Sequence, residues 1–196
     1  MSVPLKGDDA VRKISYGMSV SLDGFMEGPD RDISWHRVDA ELHQHFNDRL
    51  STASMFLSGR VTHQLMADFW PTADQDPDCP PTMAEFAGIW RDKPKIVFSH
   101  TLTEAGWHTT IMRDVVVDEI MALKDQPGGE LSLGGAELAA TFRQLDLIDE
   151  YLVYVHPVLI GQGKPMFLPG PGMANLRLVD THTFGNGVVL LHHARS

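Results

Sequence analysis

Cysteine is almost missing from this chain. Cys79 stands alone among 196 residues, which excludes an intramolecular disulfide framework and points to a reducing, cytoplasmic setting. Net positive charge is missing as well: 16 Lys and Arg against 26 Asp and Glu give a formal charge of −10. That excludes nucleic acid and an anionic membrane surface as the main partner, because both need a net basic face. An anionic small ligand remains allowed, since it needs only local cations. No apolar run approaches the roughly 20 residues that span a bilayer, and residues 1–13 carry no signal-peptide core. Ten histidines are present without ligand spacing. His192 and His193 point to opposite faces of a strand, and His43 and His45 diverge on a helix. With no His-Glu-x-x-His and no cysteine pair, no metal site is expected. No Gly-x-Ser-x-Gly elbow, internal repeat or low-complexity tract occurs.

What is present suits an ordinary globular core: 43% hydrophobic and 21% charged residues. The reading is a tail over residues 1–12 and one domain over residues 13–196. Residues 14–20 read as a strand that ends in Ser21-Leu22-Asp23-Gly24. Val38, Leu42, Phe46 and Leu50 recur at helical spacing, which predicts a helix over residues 35–53. A strand at 55–58 and a helix at 61–69 follow, then a Pro- and Asp-rich surface loop at 71–81 and a short helix near 83–90. Strands at 95–99 and 107–112 precede a helix over 115–124, for which Asp114 is a plausible N-cap. A strand at 131–133, a helix at 136–145 and a long strand at 151–159 come next. Strands at 176–183 and 188–193 flank Phe184-Gly185-Asn186-Gly187, an Asn-Gly hairpin signal. Strand–helix alternation with an all-strand C-terminus predicts an α/β fold whose mixed, mostly parallel sheet has an antiparallel edge.

Two strand-to-helix junctions carry glycine. Leu133-Gly134-Gly135-Ala136-Glu137-Leu138 lets backbone N–H groups approach a ligand with no Cβ in the way, at the positive end of a helix. Gly59-Arg60-Val61-Thr62 repeats the arrangement and adds a fixed cation suited to phosphate. Ser99, His100 and Thr101 follow a third strand with hydroxyl donors and a titratable ring. Asp23, Gly59, Ser99 and Gly134 all stand at the carboxyl ends of parallel strands, where ligands of such sheets sit. Gly134-Gly135 by itself also suits a tight turn with close helix–sheet packing, and Arg60 an ordinary helix surface.

Read in order, Ser21-Leu22-Asp23-Gly24, Ser58-Gly59-Arg60-Val61-Thr62, residues 95–102, Leu133-Gly134-Gly135-Ala136 and residues 157–167 resemble the dihydrofolate reductase-like superfamily. The nearest likeness is to the stand-alone form of the riboflavin-biosynthesis reductase (RibD C-terminal) domain. The resemblance covers nearly the whole chain from about residue 13. It implies a sheet of about eight strands, NADPH as hydride donor, a heterocyclic small-molecule substrate and a homodimer formed through the strand-rich C-terminal part. It places phosphates at Gly59, Arg60 and Thr62, the adenosine 2′-phosphate at Ser99, His100 and Thr101, and the pyrophosphate and nicotinamide side at residues 134–138. Family members often carry arginine where His100 stands. The zinc deaminase module often fused to this domain has no counterpart here, because its His-x-Glu and Pro-Cys-x-x-Cys signatures are absent.

The implied reaction is hydride transfer to a C=N or similar bond, like that of 5-amino-6-(5-phosphoribosylamino)uracil reductase. Reducing C=N also needs a proton, and Asp23 is the candidate to supply it, through a raised pKa or a water it orients. An Asx-turn aspartate is the alternative reading of Asp23. Ser21, Gly24, Trp35, Asp39, Gly161 and Gly163 complete the substrate-side candidates, with Lys164 as a further cation. Trp35 reads equally as a stacking wall or as core, Asp39 reads as helix N-terminal charge, and Gly161 to Gly163 as a plain turn. A true dihydrofolate reductase and a non-catalytic nucleotide-binding protein are the competing functions.

Overall fold

The computed structural model describes residues 11–170 and 172–196. Most of the expected tail therefore lies outside the described residues. Arg12, which the sequence places in that tail, is tied down: its N–H donates to the Lys124 carbonyl at 2.8 Å.

The strands are β1 (Ile14–Ser21), β2 (Phe25–Glu27), β3 (Met55–Gly59), β4 (Lys95–Phe98), β5 (Thr109–Met112), β6 (Leu131–Gly134), β7 (Glu150–His156), β8 (Lys164–Pro165), β9 (Leu176–Thr183) and β10 (Val189–Arg195). The helices are α1 (Ala40–Thr52), α2 (Arg60–Phe69), α3 (Pro81–Asp92), α4 (Val117–Lys124) and α5 (Ala136–Gln144). Eight strands form one sheet in the order β5-β4-β3-β6-β1-β7-β10-β9. Pairing is parallel from β5 to β7 and antiparallel from β7 through β10 to β9, as strand–helix alternation followed by a C-terminal hairpin requires.

Both faces of the central strands are covered. On β7, Tyr151, Val153 and Val155 pack with α4 and α5 through Ile120, Leu138, Ala139 and Phe142. Leu152 and Tyr154 point the other way, onto Leu42 and Phe46 of α1. The result is a three-layer arrangement. Below the sheet, the buried ammonium of Lys124 meets both oxygens of Asp149 at 2.7 and 2.9 Å, and Asp149 also accepts the Ile14 N–H at 2.8 Å.

Several boundaries differ from the sequence reading, each for a local reason. Helix α1 starts at Ala40 because the Asp39 carboxylate accepts the Leu42 N–H at 3.0 Å and caps it there; Trp35 to Val38 lie outside the helix. Asp114 caps nothing: α4 begins at Val117 behind Val116, and Asp114 instead lies 3.3 Å from His100. The expected loop at 71–81 contains a 3-10 turn, Trp70–Gln75, pinned by two bonds from Arg91 to Asp74, before Pro81 opens α3. Strand β7 stops at His156, since Pro157 has no N–H to donate. Strands β2 and β8 pair antiparallel as a small second sheet, too short to show a period.

Candidate active site

Register opens the sheet at one place. Strand β1 pairs with β6 only from Ile14 to Tyr16, yet it stays paired with β7 as far as Ser21 and His156. Beyond Tyr16 the run from Gly17 to Ser21 has no partner on the β6 side, because β6 ends at Gly134. A cleft therefore lies at the carboxyl ends, with β1 on one side, the ends of β3 and β4 on the other and the start of α5 at its base.

The two glycine junctions meet at that cleft. Gly135 is the N-cap of α5 at φ 91 and has no side chain to cap the first N–H groups. A Cβ there would stand 2.7 Å from the Thr62 hydroxyl on the first turn of α2. Gly134 lies against the same residue, its Cβ position 3.7 Å from the Thr62 methyl. The N-terminus of α2 behind Gly59 is also uncapped by any side chain. The two helix starts, neither capped by a side chain, thus lie side by side at this end of the sheet. Leu133, Ala136 and Leu138 are buried, Leu133 and Leu138 within the core, so they offer a ligand backbone only. Glu137 is exposed and ties α5 to β8 through Lys164 at 3.0 Å. Arg60 donates to Gln64 at 2.8 Å, and its neighbour Val61 is half-buried.

The third junction is organised differently from the expectation. The Ser99 hydroxyl is buried and already accepts the N–H groups of Thr101 and Leu102, at 3.2 and 2.9 Å. His100 and Thr101 are exposed, and the Asp114 carboxylate beside His100 opposes an incoming anion. Arg113, not singled out by sequence, braces the loop from below by donating to the Ser99 and Leu102 carbonyls, at 2.6 and 2.8 Å.

Across the cleft, Asp23 is a clamp. Its carboxylate accepts the Gly161 N–H at 2.7 Å and the Ile160 N–H at 3.3 Å. Hydrogen bonding from Ser21, then from these amides, holds its carboxyl below the ordinary carboxylate range. A proton donor needs the opposite shift, so the raised-pKa route expected for Asp23 is not met, and the route through a water it orients is untouched. The Ser21 hydroxyl is occupied by the Phe25 N–H at 3.0 Å, and Gly24, at φ 89, completes that turn. Gly163 serves packing: a Cβ would fall 2.1 Å from the Glu27 carbonyl, where β8 meets β2. Gly161, at φ 77, presents its N–H to Asp23. Asp39 is spent on its helix cap.

Trp35 belongs to an aromatic cluster that sequence did not reveal. It packs edge-on against His36 and His156, ring centroids 4.2 and 5.6 Å away. His156 is fully buried at the end of β7, stacked on His36 at 5.2 Å, with Nδ1 accepting the Arg37 N–H at 3.0 Å. Burial first, then the neighbouring His36 and Arg37, push its pKa down to about 4. The two histidines are 120 residues apart in the chain, so no local signal announces the pair.

Residues 12–190 match the model of the RibD C-terminal domain. A protein of Bacillus subtilis (strain 168), the uncharacterized protein YyaP, is 36% identical over 184 residues, covering 93% of this chain and 95% of the relative. A crystal structure from Shewanella sp. PV-4 superimposes with a TM-score of 0.72 at 21% identity, covering 94% of this chain and 99% of that one. Dihydrofolate reductase from Enterococcus faecalis, complexed with NADP(H), superimposes with a TM-score of 0.62 at 14% identity over 94% of this chain and 96% of its own. The fold is therefore dihydrofolate reductase-like, and the chain belongs to the RibD C-terminal domain family.

Proposed function

We propose that this chain is an NADPH-dependent reductase that delivers hydride to a C=N or similar bond of a heterocyclic small molecule, as 5-amino-6-(5-phosphoribosylamino)uracil reductase does. The observation that carries this is the contact of Gly135 with Thr62, which joins two uncapped helix starts at the opened sheet edge. Two helix starts brought this close, neither capped by a side chain, fit a pyrophosphate. The NADP(H) bound to the Enterococcus reductase supports the same cofactor class. When bound, the reduced nicotinamide supplies the hydride.

The residues of this chain do the rest. Residues 134–138 and 59–62 hold and orient the dinucleotide through backbone N–H groups, Thr62 and Arg60. Asp23 fixes the opposite wall by clamping residues 160 and 161, and as an anion it orients a water that protonates the reduced nitrogen. Folate reduction fits less well, because Asp39, the acidic group nearest the expected pterin position, is engaged as a helix cap. The same reading places a homodimer contact on β9, an edge strand exposed along its whole length that carries Leu176, Leu178 and Val179. Light scattering should return twice the 21.8 kDa chain mass, and a monomer at assay concentration would remove the dimer.

The test is NADPH oxidation against pyrimidine, pterin and carbonyl panels. Turnover with an amino-pyrimidine is expected, and dinucleotide binding with no turnover on any panel would favour the non-catalytic reading. In the same assay Asp23→Asn should lower kcat about tenfold while NADPH affinity stays within about twofold. Unchanged kcat in that variant would remove Asp23 from the reaction.

A further inference from the structure

We propose that the cavity between the C-terminal end of α5 and the amino end of β7 binds a small monocarboxylate, held by Arg143, Tyr151 and Arg195. The cavity measures about 130 Å³, and its lining also includes Asp146, Ile148 and Met173. Cavities of several hundred Å³ hold drug-sized ligands, so this one suits a short-chain acid. It lies away from the cleft. Helix α5 leaves the cleft at Gly135, and Arg143 stands seven residues beyond Ala136, about 10 Å along the axis at 1.5 Å per residue. Tyr151 is at the opposite end of β7 from His156, and Arg195 ends the antiparallel β10 on that same side. The ligand of this cavity is therefore neither the dinucleotide nor the reacting substrate.

Two of the lining residues carry donors without acceptors. The Arg143 Nε is buried and has no hydrogen-bond partner, although its Nη2 donates to the Leu168 carbonyl. Among the described residues the Arg143 guanidinium meets no carboxylate. Of the three tyrosines, Tyr16 and Tyr154 bond through their hydroxyls, and among the described residues Tyr151, also buried, does not. Burial pushes the Tyr151 pKa up, while Arg143 and then Arg195 pull against that rise, so the hydroxyl is a neutral donor at pH 7 with both guanidiniums close by. Buried donors without acceptors are rare and costly, and a carboxylate offers acceptors to both.

The charge count selects a monoanion. Arg195 is matched by Asp146, whose carboxylate lies 2.7 Å from it and whose carbonyl accepts from it at 2.6 Å. Asp149, the next carboxylate in the chain, is held by Lys124. Among the described residues this leaves Arg143 as the one unmatched cation of the cavity. A dianionic phosphate would set a second negative charge beside Asp146. The carbonyls that end α5 would also oppose an anion, but they are occupied: those of Thr141 and Arg143 accept the Leu145 N–H, and that of Phe142 accepts the Leu147 N–H at 2.9 Å. Buried Ile148 and exposed Met173 flank the cavity with apolar surface for the chain of the acid.

Butyrate is the probe, with butyramide as its neutral isostere and inorganic phosphate as the competing anion. In a titration followed by amide chemical shifts, butyrate should move the signals of Tyr151 and Arg195, and butyramide should not. Tyr151→Phe removes one hydroxyl and keeps the ring, so it should melt no lower than the wild type and bind butyrate about tenfold more weakly. Arg143→Gln should weaken butyrate at least as much; should that variant melt lower through its lost bond to Leu168, Tyr151→Phe still decides. Unchanged butyrate affinity in either variant overturns the site, as does a wild type in which neither signal moves. An equal response to butyramide overturns the carboxylate, and tighter binding of phosphate than of butyrate overturns the monoanion. No dinucleotide enters these measurements, so failure of the reductase reading leaves the site standing, and failure of the site leaves that reading intact.

Discussion

Gly135→Ala should lower dinucleotide affinity about a hundredfold, equivalent to about 2.7 kcal/mol. Two costs act together. At φ 91 and ψ 131 the backbone of Gly135 lies where an L side chain is strained by about 1–3 kcal/mol. The new Cβ also meets the Thr62 hydroxyl at 2.7 Å, so α2 and α5 must part or Thr62 must turn out of the site. Either adjustment displaces the donors that the two helix starts present to the cleft. The same strain should lower the melting temperature by several degrees, since about 1 kcal/mol is worth 2–4 °C in a chain of this size. Gly134→Ala separates binding from folding. Its Cβ would sit 3.7 Å from the Thr62 methyl, an ordinary contact, so the free protein should melt as the wild type does. A loss of affinity in that variant then reports the close approach of the ligand itself. Wild-type dinucleotide affinity in both variants would remove the glycine junction from the site.

The glycine junctions were legible because each has two local marks, an apolar run and a glycine pair or Gly-Arg at its end. What joins them was not, since nothing in residues 59–62 indicates that Thr62 touches Gly135 across more than seventy residues. Strand β9 matches its expected bounds because an Asn-Gly turn pins the register of the hairpin behind it. Helix α1 was read too long because Trp35 and Val38 fall in phase with Leu42, and phase alone does not see that Asp39 wins the cap. Of the two routes expected for Asp23, a raised pKa runs against its surroundings and an oriented water does not. The strand-end position of Asp23 is visible in sequence, whereas the two amides that its carboxylate accepts come from residues 160 and 161.

Acidification should destabilise the protein between about pH 6.5 and about pH 4, by about 3 kcal/mol from His156 alone. Its ordinary value is 6.5, and the folded state depresses it to about 4. The unfolded chain therefore takes up a proton in this window that the native state refuses. The stability His156 contributes is fully present above pH 6.5 and is lost as pH falls toward its folded value. His36, His43, His45 and His63 are shifted down as well, each chiefly by burial, so they steepen the same slope. Asp23, Asp32, Asp74 and Glu150 are shifted down from 3.8 or 4.5 and lose their contributions at lower pH, which leaves the upper part of the window to histidine. Urea unfolding at about pH 7 and about pH 4.5 measures the difference. His156→Asn keeps an acceptor for the Arg37 N–H and removes the titration, so its stability should change by up to about 1.4 kcal/mol less per pH unit than the wild type. The consequence reaches the cleft: His156 is the β7 partner of Ser21, and it anchors Trp35 and His36 of the segment that runs from the Arg31 turn to α1. A charge at His156 pushes that segment off the sheet, so NADPH affinity should fall only as pH nears about 4, where the native ring takes up its proton, and His156→Asn should spare it. Equal pH slopes in the wild type and the variant would show that His156 does not carry the transition.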